Sequence, residues 1–443
     1  MYSSTTRRVR SASGLFAPGH LGELTRIVPF EMVDAVLDQC RARERRLRVI
    51  PSRVVVYLLL AAGLFANVGW AGVWAKLCGG LGSTCAPAAS ALWEARTRLG
   101  PGPMEALFAL LAGPTVGTAR WRGLTVCAID GTLLDLPASA DNRSVHRSSG
   151  ATKWAGAGYP QIRLVALVAT GSRALLAAAF GPVSRGETKY AAKLLTAMRP
   201  GQVILADRLF DAAWLLAAVR GTGAHLLFRM NTNTKPVPVA KLRDGTWLVR
   251  RGDLILRSIE AEITIATAAG TQTGHYRLLT SMVNPSRYPA GQIVALYHQR
   301  WEIESAYAEL KSTLLRRRVL RGKHPHAIDQ EIWALLALYQ AIRIAIADAV
   351  IGEAVTPLQA SFTIALETAR DQLIRAENIL NDEHIDLKGL IGQQILTHPL
   401  PDRRLRKAPR AVKRAISKYH ARSNGIDRRT YKATLDIVVL ADP

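Results

Sequence analysis

Acidic residues are scarce in this chain: 34 Asp and Glu stand against 58 Lys and Arg, a formal net charge of +24. Such a balance argues for a polyanionic partner, nucleic acid or an anionic membrane surface. Cysteine is also sparse. Cys40, Cys78, Cys85 and Cys127 form no CxxC pair and have no histidine at zinc-ligand spacing, which argues against a structural zinc site and for reduced, cytosolic thiols. No apolar h-region follows the basic start MYSSTTRRVRSASG, so a secretory signal is not expected. Long uncharged runs are confined to Val54–Ala75, 22 residues between Arg53 and Lys76. That length suits a membrane span, whereas Asn67 and three glycines, Gly63, Gly69 and Gly72, favour two short buried helices.

What is present is apolar residues, 49% of 443, enough for two or three cores. Residues 1–120 read as helical: Phe30–Arg48 with the basic end RARERRLR, then Arg53–Leu64, Trp70–Leu77 and Ala88–Leu99. Periodicity does not separate a small DNA-binding domain from an ordinary helical bundle here. From Leu124 the pattern turns to short apolar runs, LTVCAI (124–129), QIRLVALVAT (161–170), ALLAAAFG (174–181), VILA (203–206) and HLLFRM (225–230), read as buried strands. Helical stretches Glu187–Met198 and Asp211–Val219 lie between them, which predicts an α/β layer fold. Residues 231–289 carry Pro236, Pro238, an Asp244-Gly245 turn and period-2 runs, the pattern of a β-rich insertion. Helices resume at Ala290 and continue through Ala327–Asp348. Residues 401–432 hold twelve Lys or Arg against Asp402 and Asp427, a solvated amphipathic helix or a polyphosphate-binding arm.

Two acids close apolar strands, Asp130 after LTVCAI and Asp207 after VILA. A carboxylate in such a place is costly unless paired, capped or bound to metal; singly, each also suits an N-cap or turn. A third, Glu304, lies in YHQRWEIESAYAELK, where Tyr297, Arg300, Glu304 and Lys311 fall within roughly 60° of arc at about 100° per residue. Ile303, Ala306, Leu310 and Leu314 form a second, anchoring stripe. An amphipathic helix with an Arg300–Glu304 pair satisfies the same pattern. Three acids without Cys or His suit hard cations, Mg²⁺ or Mn²⁺, and on a strongly basic chain such a centre suits phosphodiester chemistry.

Asp130-Gly131-Thr132, GYPQIRLVALV (158–168), GPVSRGE (181–187), ILADRLF (204–210), the Y-x2-R-x3-E-x6-K row and LRGKHPHAIDQEIWALL (320–336) together resemble DDE transposases of the insertion element four family. The resemblance covers nearly the whole chain and implies an α/β, ribonuclease H-like catalytic domain (121–345) interrupted by the β-rich insertion. A helical N-terminal DNA-binding domain (1–120) would precede it, and a helical C-terminal region with a basic tail (346–443) would follow. It implies that Asp130, Asp207 and Glu304 bind two Mg²⁺ or Mn²⁺ ions and that Tyr297, Arg300 and Lys311 hold DNA phosphates near the cut. Arg208, Arg318, Arg321 and Lys323 extend that track, beside Arg316 and Arg317, and Trp247 and Tyr276 are candidates to stack a flipped base. The implied activity is metal-dependent cleavage and strand transfer at terminal inverted repeats by a cut-and-paste route. The implied partners are double-stranded DNA (repeat ends and target) and a second copy of the chain in a synaptic homodimer, in the cytoplasm on the nucleoid, with no membrane. The alternatives are a DNA-binding derivative without catalysis and a membrane-associated basic protein. One position departs from the family pattern: Leu209 stands where glycine is common, and loss of glycine restricts the backbone beside Asp207.

Overall fold

The computed structural model describes residues 20–44, 46, 48–79, 86–118, 120–146, 158–267, 270–375, 388–401 and 433–440. The basic tail 401–432 lies outside the described residues from position 402 onward, as does Cys85. The chain divides into two compact units, and neither is one continuous stretch: residues 1–202 with 300–400, and residues 203–299 with 401–443. The fold is mixed α/β.

In the first unit the uncharged run 54–75 is two buried helices, Ser52–Leu64 and Trp70–Cys78, separated around Asn67. Phe65 leaves the helical region at φ −114°, ψ 59°, and Gly69 supplies the extended residue before the second helix. Helix Phe30–Gln39 is shorter than its periodicity predicts, because Arg41 turns left-handed at φ 52° and directs the basic run out of the helix. The long helix Pro325–Ala349 meets the length and hydropathy of a membrane span, yet 83% of its apolar window is buried inside the molecule. It serves as the core helix of this unit. It approaches helix Ser52–Leu64 so closely that a Cβ on Gly63 would stand 2.6 Å from Leu338 Cδ2, which makes glycine a packing requirement there.

Four strands, β1 (Arg120–Trp121), β2 (Leu124–Asp135), β3 (Gln161–Ala169) and β4 (Ala174–Pro182), form the described antiparallel ladder of this unit in the order β4-β3-β2-β1. The strand expected over 124–129 runs on to Asp135. Its pairing with β3 continues from Cys127↔Ala169 to Asp135↔Gln161, so Asp130 lies within the ladder, opposite Ala166. Glu187–Met198, expected as one helix, is a short α-helix, Glu187–Ala191, followed by a 3₁₀ segment, Ala192–Ala197.

The second unit begins with β5 (Gln202–Ala206), helix Ala213–Gly221 and β6 (His225–Arg229), the two strands parallel from Val203↔His225 to Ala206↔Phe228. The insertion supplies β7 (Val237–Lys241), β8 (Trp247–Arg251), β9 (Leu254–Thr267) and β10 (Gly270–Thr280), all antiparallel, with β10 joined to β6. Arg257 of β9 is fully buried. It pairs with Asp244 and donates to Thr246 Oγ1 at 2.9 Å and the Tyr288 carbonyl at 2.6 Å, which ties the insertion to the chain returning toward Ala290.

The C-terminal region expected as helical holds helices Phe362–Arg375 and Gly389–Thr397 and then a strand, β11 (Ala433–Val439). β8 covers β9 only through Ser258, so the edge of β9 from Ala261 to Thr267 is open, and the β-branched run of β11 pairs there.

Candidate active site

Lone carboxylates in an antiparallel ladder need partners, and Asp130 has them. Its Oδ1 accepts from the Gly131 N–H at 2.8 Å and its Oδ2 from Arg300 Nη1 at 3.3 Å. Arg300 Nη2 donates to Glu304 Oε1 at 3.1 Å, so one guanidinium serves two acids far apart in sequence. Arg300 and Asp130 are mostly buried, with side chains 12% and 16% exposed, whereas Glu304 is 39% exposed. That gradient leaves the cluster an open side.

The helix that bears Glu304 is anchored as its second stripe predicts: Ile303, Ala306, Leu310 and Leu314 are all buried. It is not continuous. The chain passes from α-helix Ala290–Tyr297 through a 3₁₀ turn, His298–Arg300, into α-helix Trp301–Ala308 and then a π-helical segment, Glu309–Leu314. In the π segment Lys311 reaches the strand of Asp130, its Nζ 3.2 Å from Thr132 Oγ1. Segments of this kind recur at functional sites.

Tyr307 joins the same cluster and belongs to no motif read from the sequence. Its hydroxyl donates to the Asp130 carbonyl at 2.7 Å and accepts the Ala166 N–H at 3.1 Å, so it bridges a paired position of β2 and β3. Burial, reinforced by the Asp130 charge, holds its pKa well above the usual tyrosine value. It lies three residues after Glu304 and four before Lys311, on the same helix face, and its partner atoms become visible only through the pairing of β2 with β3. A Cβ on Gly131 would lie 2.6 Å from the Glu187 carboxyl carbon, so the Glu187 side chain rests against the residue after Asp130.

In the second unit, Asp207 follows β5 in extended conformation and caps the next turn, its Oδ1 accepting the Leu209 N–H at 2.8 Å. Leu209 is not among the residues with positive φ, and its side chain is 61% exposed. The turn beside Asp207 therefore does not require the glycine common in the family. Tyr297, expected on the phosphate-facing row, is buried, and its hydroxyl donates to the Ala206 carbonyl at 3.2 Å, one residue before Asp207.

The outlying candidates separate as well. Arg208, Arg318 and Lys323 are exposed, and the exposed Arg316 and Arg317 hold left-handed backbones at φ 51° and 59°. Arg321, expected on the phosphate track, is an internal clasp. It pairs with Glu331 at 3.1 Å and donates to the carbonyls of Val68, Ala62 and Phe65 at 3.1, 3.0 and 2.6 Å, capping the end of helix Ser52–Leu64. Its fork is committed to those acceptors. Tyr276 is half-buried, with Arg229 over its ring at 4.4 Å, and Trp247 is half-buried beneath Lys241 at 5.6 Å.

The donor chemistry fits a hard divalent cation in one respect: Asp130 and Glu304 direct carboxylate oxygens onto a shared positive group, Arg300, as acids flanking a cation do. Among the described residues, no three His, Cys, Asp or Glu side chains gather into a complete cation site.

Known proteins share this arrangement of sequence. The description "Insertion element 4 transposase N-terminal" matches residues 18–109, and "Transposase DDE domain" matches residues 121–340. Transposase InsG for insertion sequence element IS4 of Escherichia coli (strain K12) is 30% identical over 352 residues, 75% of this chain and 78% of that protein. The chain is a DDE transposase of the insertion element 4 family. InsZ of the same organism is 34% identical to this transposase over 143 residues, 31% of this chain and 48% of that protein. Among solved structures, the piggyBac transposase synaptic complex with hairpin DNA covers 86% of this transposase and 83% of its own chain at 12% identity. Its TM-score of 0.40 is too low to inform fold or mechanism.

Proposed function

We propose that this transposase cleaves DNA at the terminal inverted repeats of its own insertion sequence and joins the freed ends to a target, by a cut-and-paste route. The observation that carries the reading is the shared hold of Arg300 on Asp130 and Glu304, the first and third acids of the family motif. In this reading the catalytic core is ribonuclease H-like and residues 1–120 bind DNA. Asp130, Asp207 and Glu304 hold two Mg²⁺ or Mn²⁺ ions. In such a centre the chemistry supplied by the ions is activation of the attacking oxygen and stabilisation of the leaving one.

The chain's own residues do the rest. Asp130 keeps one carboxylate oxygen on the Gly131 N–H, which orients the other toward the cluster. Arg300 neutralises Asp130 and Glu304, and its planar fork is the group for which a DNA phosphate competes. Lys311, from the π segment, places an ammonium beside Thr132, within reach of the same backbone. Tyr297 fixes the strand end before Asp207 through the Ala206 carbonyl. Exposed Arg208, Arg318 and Lys323 bind flanking phosphates without sequence information, and Trp247 and Tyr276 stand as candidates for stacking a displaced base. Two ends must be joined, which calls for a homodimer, and the setting is the cytoplasm.

The test is cleavage of a duplex carrying the element's terminal repeats, in Mg²⁺, by the natural chain and by Glu304→Gln. The reading requires cleavage by the first and its loss in the second, with duplex affinity retained. Equal cleavage by both would overturn it.

A further inference from the structure

Arg173 occupies the turn between β3 and β4 with φ 57°, a left-handed backbone that glycine adopts freely and other residues do not. Such conformations persist where the surroundings over-determine them. Here the surroundings are two carboxylates: Arg173 Nε donates to Glu302 Oε2 at 2.8 Å, and Nη1 donates to Glu309 Oε1 at 2.7 Å. All three side chains are largely buried, at 11%, 10% and 13% exposure. Glu309 is held further by Arg343, and the Tyr339 hydroxyl lies 3.0 Å from both Glu309 Oε2 and the Arg173 carbonyl. The network satisfies buried charges that would otherwise be expensive.

Its location gives it a consequence. At about 100° per residue, Glu302 and Glu309 share one side of their helix, and Arg300, Glu304 and Lys311 lie roughly opposite. The clasp grips the back of the segment whose front carries the cleavage residues. Glu309 is also the first residue of the π segment that brings Lys311 to Thr132. Arg173 itself follows β3, the strand whose Ala166 pairs with Asp130. One guanidinium thus ties the helix of Glu304 to the neighbour of the Asp130 strand.

We propose that Arg173 is a positioning residue of the cleavage centre: by clasping Glu302 and Glu309 it sets the depth and register at which Glu304 and Lys311 meet Asp130 and Thr132. This rests on the reading that Asp130 and Glu304 take part in holding a divalent ion.

The experiment measures Mn²⁺ binding to the full chain by electron paramagnetic resonance, without DNA, together with single-turnover cleavage of a terminal-repeat duplex. Arg173→Met is expected to weaken Mn²⁺ binding and slow cleavage, each about tenfold or more, with duplex affinity unchanged. Arg173→Lys, which keeps the charge but loses the fork, recovers part of both. Glu302→Gln removes one arm and shifts both in the same direction by less, and it decides the matter if Arg173→Met does not fold. Variants that lower only the thermal midpoint, with natural Mn²⁺ affinity and natural cleavage per folded molecule, would overturn the proposal. Glu304→Gln is the control: if it too keeps Mn²⁺ binding and cleavage, the metal-centre reading fails and takes this proposal with it.

Discussion

The Tyr307 hydroxyl bridges the backbones of Asp130 and its strand partner Ala166, donating to the Asp130 carbonyl at 2.7 Å and accepting from the Ala166 N–H at 3.1 Å. A side chain from the helix of Glu304 is therefore built into the ladder that carries the first acid. This contact couples strand and helix at the place where cleavage is proposed.

Removing that hydroxyl leaves two buried backbone groups without their partner. Tyr307→Phe should destabilise the protein by about 1–3 kcal/mol and slow cleavage by letting Asp130 shift relative to Glu304. Chemical denaturation and single-turnover cleavage measure the two effects. A variant within about 0.5 kcal/mol of the natural protein and cleaving at its natural rate would show that the bridge does no positioning.

The insertion offers a test of stability. Arg257 has a fully buried side chain, bonded to Asp244, Thr246 and the Tyr288 carbonyl, and burial pulls its pKa down against the opposing pull of Asp244. Arg257→Ala strips those acceptors of their donor and leaves Asp244 without its partner. A loss of about 3–5 kcal/mol is expected, read as a lower midpoint in chemical denaturation of the full chain. An unchanged midpoint would contradict this account of how the insertion is held.

His20 predicts a pH dependence. Burial lowers its pKa to about 4 from 6.5; its Nε2 lies 3.1 Å from the Leu77 carbonyl, and its Nδ1 accepts the Gly22 N–H, so the folded ring is neutral. The unfolded chain takes up a proton below about pH 6.5 that the folded chain refuses until about pH 4, so stability rises with pH across this window. The contribution is complete above pH 6.5, and about 3 kcal/mol is lost as pH falls to 4. His20→Gln should flatten that part of the profile. A natural protein whose stability holds constant from pH 6.5 to 4.5 would refute it.

Local pattern went far in this chain. Uninterrupted apolar runs located β3, β4, β5 and β6 almost to their ends, since buried strands need little beyond length and apolar side chains. β2 was longer than its run because Gly131 and Thr132 break the apolar pattern while ladder pairing continues. Periodicity put Arg300, Glu304 and Lys311 together. The 3₁₀ turn at His298–Arg300 and the contact of the Tyr297 hydroxyl with the Ala206 carbonyl are invisible to it. What stayed hidden was contact across distance: Arg321 on the carbonyls of Ala62 and Phe65, Tyr307 on Asp130, and Arg173 between Glu302 and Glu309. No local composition encodes such partners. β11 was missed for the same reason, because its pairing depends on the open edge of β9.

In the proposed centre Asp130, Asp207 and Glu304 would hold one pair of divalent ions. Iron-directed backbone cleavage tests it most directly: Fe²⁺ replaces Mg²⁺ in the complex with terminal-repeat DNA, ascorbate and peroxide generate hydroxyl radicals at the bound ion, and the peptide fragments are mapped. Cuts are expected beside all three acids, suppressed together by excess Mg²⁺. Cuts beside Asp130 and Glu304 with the chain around Asp207 intact would contradict it.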